Sequence, residues 1–154
     1  MAERNPFSNL LTLGGVGWPV ARIYALKAGA SLTDEIIRIA AKERVKTARV
    51  EAIGGVSKLK VAYFNHEAKK YEEHDFDEFL EVTGLLGNIT QKDGKPFLHA
   101  HGTFGRRDMS LVGGHVMSAT VFPLMEVVIT KTANRATRKF DEKTGLNVIY
   151  RIED

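Results

Sequence analysis

Three histidines, His99, His101 and His115, are the residues whose type and spacing best suit chemistry. They stand in Pro96-Phe97-Leu98-His99-Ala100-His101-Gly102-Thr103 and in Gly113-Gly114-His115. A His-x-His pair on a β-strand puts both imidazoles on one face, with Cα atoms roughly 6.6 Å apart at a rise of about 3.3 Å per residue. Two imidazoles so placed can converge on one cation. Ala100 and Gly102 fall on the opposite face, where their small size lets another backbone or helix come close. Gly113 and Gly114 allow a bulge or a close backbone approach, so His115 can supply a third nitrogen. Three histidines plus an open water position are the pattern of catalytic zinc and also suit other divalent ions. A carboxylate would close the site instead. Asp108 and Glu126 are candidates for it, although nothing in the sequence places either. The plain alternative is a pair of imidazoles that merely hydrogen-bond inside a sheet. His66 and His74 stand in charged, turn-rich stretches and are expected to be solvated.

Such a cluster needs strands to hold it. Residues 20 to 27 suit a first strand. Ser31 can cap a following helix, with Asp34 and Glu35 in its first turn, where the helix dipole favours negative charge. Leu32, Ile36, Ile37, Ile39 and Ala40 make an apolar stripe at helical spacing, read as core. Thr47 to Ile53 reads as a strand ending in a turn at Gly54-Gly55. Leu59 to Phe64 reads as a strand buried on both faces. A turn at Asn65 to Lys69 then leads to a charged strand, Lys70 to His74. Phe79 to Thr90 and Pro96 to Phe104 form a hairpin about Asp93-Gly94, a pair that accepts positive φ. Val116 to Thr132 is a long apolar run, and Pro123 predicts a break, bulge or edge because it cannot donate a ladder hydrogen bond. Arg138 to Ile152 reads as a last hairpin. One helix among many short strands, without a repeating βαβ rhythm, predicts an α+β fold: a mainly antiparallel β-sheet flanked by few helices.

The chain has 154 residues, which fits one compact domain. Residues 1–19 are expected to be an N-terminal extension, 20–132 the domain, and 133–154 a C-terminal hairpin completing it. With no cysteine, disulfides and thiolate ligands are excluded. That fits a reducing cytosol, and a cytoplasmic location is expected. A net charge of +3 is weak for a nucleic-acid binder. No apolar run is long enough for a membrane span, and Phe7 to Val20 is read as folded chain rather than a signal peptide. Gly14-Gly15-Val16-Gly17 lacks the Lys-Ser/Thr of a phosphate-binding loop, and no nucleophile elbow occurs. Arg106-Arg107 is expected to be a solvated loop, and the basic group Lys131, Arg135, Arg138 and Lys139 is followed at once by Asp141 and Glu142.

Gly94-Lys95-Pro96-Phe97-Leu98-His99-Ala100-His101, then Val112-Gly113-Gly114-His115 and Glu126-Val127-Val128-Ile129, resemble the plants and prokaryotes conserved (PPC) domain. Leu26-Lys27-Ala28-Gly29 and Ala52-Ile53-Gly54-Gly55-Val56 are similar to it as well. The resemblance covers about residues 20 to 132. It implies an antiparallel sheet flanked by helices, assembly as a homotrimer, and a metal-binding unit on His99, His101 and His115, with zinc the expected ion. Plant members carry this domain beside AT-hooks, so a DNA-associated or regulatory role is implied by association. This sequence has no Arg-Gly-Arg-Pro core, and Gly105-Arg106-Arg107-Asp108 does not replace one. Two alternatives stay open: a metal-dependent enzyme acting on a small molecule at a subunit cleft, and a purely structural metal. No catalytic residue is assigned, and a non-enzymatic role is the leading expectation.

Overall fold

The computed structural model describes residues 20–154. The expected N-terminal extension and the Gly14–Gly17 run lie outside the described residues. Strand β1 (Ala21–Lys27) leads into the one helix among the described residues, α1 (Leu32–Lys42). There follow β2 (Ala48–Asn65), β3 (Lys70–Phe76), β4 (Leu80–Lys92), β5 (Lys95–Gly105), β6 (Leu111–Lys131), β7 (Arg135–Asp141) and β8 (Leu146–Glu153). The fold is α+β and dominated by antiparallel pairing. No described helix is long and apolar enough to cross a membrane.

Capping chemistry sets the start of α1. Ser31 is extended, and its side chain accepts a hydrogen bond from the Asp34 amide at 3.5 Å. Leu32, Ile36, Ile39 and Ala40 are buried, while Ile37 at the stripe's margin is only half-buried. The strands run β3-β2-β6-β5-β4-β7-β8, with β1 added on β6. Because β2 also pairs with β4, strands β2, β6, β5 and β4 close on themselves. Val50, Val56, Leu85, Ile89, Phe104, Val121 and Val127 from these four strands join the helix stripe in one core. Each such side chain contributes about 1.5–3 kcal/mol when fully buried.

The structure departs from the sequence expectations in four places. Gly54-Gly55 is not a turn. The chain runs on as one 18-residue strand with register shifts at Gly54. A side chain at Gly54 would meet the Leu124 carbonyl at 2.5 Å, and one at Gly55 the Phe122 carbonyl. These glycines therefore serve close strand approach. Strands β2, β4, β5 and β6 are long rather than short, 21 residues in β6, while β1, β3, β7 and β8 have seven or eight. Around Tyr63, β2 is not buried on both faces: Val61 and Ala62 are buried and Tyr63 is exposed. Finally, β7 lies parallel to the end of β4, pairing Gln91 with Thr137 and Lys92 with Arg138. Pro123 falls in a bulge, where Gly54 pairs with Met125 and Val56 with Val121. The Asp93-Gly94 hairpin turn forms with both φ angles positive.

Candidate metal centre

Strand alternation does at residues 99 to 103 what the spacing requires. Ala100 and Gly102 are buried, while His99 is half-buried and His101 exposed on the other face. Register then supplies the third ring. In the β5–β6 ladder His101 stands directly opposite His115. The three ring centroids form a nearly equilateral triangle, with sides of 5.2 Å (His99–His101), 5.1 Å (His99–His115) and 5.3 Å (His101–His115). One nitrogen from each ring lies within 4.8 Å of the others. The His99 and His101 Nε2 atoms are 3.2 Å apart. At a zinc–nitrogen distance of about 2.0–2.1 Å, neighbouring ligands of a tetrahedral ion stand about 3.3 Å apart, so this pair already has the right separation.

The Nδ1 atom of His115 is buried and has no hydrogen-bond partner among the described residues. Buried polar atoms are ordinarily paired, so this one asks for a ligand. The Tyr71 ring from β3 stacks on His115 at 4.8 Å and 28°. Burial pushes the His115 imidazole down to about 4, with the neighbouring His99, His101 and Arg138 adding to the effect. His99 is lowered for the same first reason, then by Arg138 and His101. Both rings are therefore uncharged at neutral pH, the form in which an imidazole can serve as a metal ligand. The donor set, its spacing and the orphaned nitrogen all fit a divalent ion.

A model of the Plants and Prokaryotes Conserved domain matches residues 21–133. The chain belongs to that family. Among solved structures, a metal-containing protein from Archaeoglobus fulgidus is 32% identical to this PPC-domain chain, with a TM-score of 0.83 over 89% of this chain and 97% of the other. A PPC protein from Pyrococcus horikoshii is 27% identical, with a TM-score of 0.81 over 93% and 99%. The α-acetolactate decarboxylase of Bacillus subtilis is 17% identical, with a TM-score of 0.57 over 84% of this chain and 60% of the enzyme, and shares the fold alone. No curated protein matches.

Neither carboxylate candidate from the sequence joins the triad of this PPC domain. Asp108 accepts from the Ser110 amide and hydroxyl in the β5–β6 turn, at 2.9 and 2.6 Å. Glu126 is exposed, opposite Ala25 of β1 and Ile53 of β2. His66 and His74 are exposed, as expected. Arg106 pairs with Glu78 at 3.1 Å, and Lys131 with Glu43 at 3.6 Å.

The residue that sequence reasoning missed is Arg138. It is only 7% exposed, and its Nη2 lies 3.4 Å from His99 Nδ1. Its Nε donates to Thr90 Oγ1 at 3.0 Å, Nη1 to the Asn147 carbonyl at 2.7 Å, and Nη2 to Asn88 Oδ1 at 3.0 Å. The guanidinium also sits 5.6 Å over the Phe97 ring. An arginine N–H can only donate, so His99 Nδ1 accepts. Without an ion, the His99 Nε2–H then donates to His101 Nε2. The only signal was a basic residue with β-strand neighbours; its partner His99 is 39 positions away.

Proposed function

We propose that this PPC-domain protein binds a divalent metal ion, with zinc the expected ion, through His99, His101 and His115. The observation that carries the reading is the convergence of three imidazoles with two Nε2 atoms 3.2 Å apart. The metal-containing relative at 32% identity supports it. When bound, such an ion supplies a positive charge and a Lewis acid that lowers the pKa of bound water. The protein's part is to fix the rings: β5 alternation orients His99 and His101, the β6 register brings up His115, and Tyr71 packs over His115.

The proposed assembly is a homotrimer and the proposed role regulatory, with DNA as the partner to test. DNA affinity that falls steeply with salt would support that role, since phosphate contacts release counterions. A second reading, a metal-dependent enzyme acting on a small molecule at a subunit cleft, is favoured by one observation. Among the described residues no carboxylate joins the triad, and His101 is exposed, so this donor set leaves a coordination position open.

Elemental analysis of protein purified without an affinity tag tests the metal reading. Wild type is expected to carry about one ion per chain, and His99→Ala and His115→Ala much less. Undiminished metal in both variants refutes the assignment.

A further inference from the structure

Resting on the metal reading above, we propose that the ion on His99, His101 and His115 binds together with a small carboxylate or related oxyanion, because Arg138 makes the anion necessary for tight metal binding.

Charge is the first reason. Three neutral imidazoles bring no negative charge to the ion. Among the described residues no acidic group belongs to the triad, and Arg138 forms no ion pair. A divalent ion held there adds two positive charges beside a guanidinium that already touches His99. Arg138 is almost fully buried, so water screens this repulsion poorly.

Proton placement is the second. Arg138 favours the His99 form with a bare Nδ1 and the hydrogen on Nε2. A metal at the His99 Nε2, the atom that faces His101, needs the reverse. The arginine therefore opposes the ion both as a charge and as a donor.

Rigidity is the third. Hydrogen bonds to Thr90, Asn147 and Asn88, and the Phe97 ring beneath, hold the guanidinium from β4, β5 and β8, so it has no easy path away from His99. What offsets the excess charge must then arrive from the open side of the triad, where His101 is exposed. A small carboxylate fits both demands, since it bears one negative charge and its hard oxygen is a good ligand for a divalent ion. Binding of anion and metal is then reciprocally coupled.

The test measures zinc affinity of the full chain by competition with a chromophoric chelator. Acetate replaces perchlorate at constant ionic strength and pH, with free zinc corrected for acetate complexation. In wild type, tens of millimolar acetate is expected to tighten zinc binding about fivefold or more. Arg138→Met is expected to bind zinc more tightly than wild type in perchlorate and to lose the acetate effect. Arg138→Lys, which keeps the charge, is expected to retain it. Should Arg138→Met fail to fold by circular dichroism, the acetate response of wild type and of Arg138→Lys decides. Equal zinc affinity in the two media for wild type overturns the anion, including the case in which a bound hydroxide balances the charge alone. No zinc binding in either medium overturns the metal reading itself.

Discussion

At the scale of single residues, burial sets the histidine chemistry before any ion arrives. His115 titrates near 6.5 when unfolded and about 4 when folded. Between those values the unfolded chain binds the proton and the folded one does not, so stability rises with pH across that window. Metal-free protein is therefore expected to lose stability as pH falls from about 6.5 toward 4, and His115→Gln to lose less. Urea unfolding midpoints across that range check this, and identical slopes for both proteins would count against it. Histidine type and spacing made the triad legible in the sequence. The two rings on β5 follow from period-two geometry alone, whereas His115 depended on a cross-strand register that no local pattern encodes. Arg138 was illegible for a stronger reason. Its place beside His99 comes from a short parallel pairing of β7 with β4, and nothing in an Arg-Lys sequence distinguishes a buried guanidinium from a solvated one.

At the scale of elements, the helix and the hairpins were readable because their signals are local: Ser31 ahead of an apolar stripe, and Asp93-Gly94 between two strands. The Gly54-Gly55 pair misled because glycine serves turns and close strand crossings equally, and only the long-range neighbours Leu124 and Phe122 decide between them. The same ambiguity has a functional counterpart one strand away. Gly114 has φ +156°, and a Cβ there would stand 2.8 Å from the Ala62 carbonyl of β2. Since β6 must pass this point to set His115 opposite His101, Gly114→Ala is expected to destabilise the fold by about 1–3 kcal/mol, in the range of local backbone strain. It should also weaken metal binding by displacing the third ring. Denaturant midpoints and metal content measured together test both halves. Full metal content with unchanged stability would mean that the strand has room to move.

At the scale of the whole molecule, the question is how far the fold depends on the ion. The core that unites α1 with β2, β4, β5 and β6 is formed by side chains such as Leu32, Ile36, Leu85, Ile89, Phe104 and Val121, all buried without reference to the triad. The triad itself occupies the other face of β5, where His101 is exposed and Ala100 buried. Chelation is accordingly expected to leave the protein folded. An ion present at a hundred times its dissociation constant adds about 2.7 kcal/mol by mass action. For a domain of this size that corresponds to roughly 5–11 °C in thermal midpoint. Calorimetry with and without chelator reads this directly. Unfolding at room temperature on chelation would favour a purely structural ion, of the kind that holds small metal domains together. Assembly is tested in the same samples. Sedimentation equilibrium is expected to give three times the chain mass with metal bound. A monomer under those conditions would remove the subunit cleft on which the enzymatic reading depends, while leaving the three imidazoles on β5 and β6 able to hold the ion within one chain.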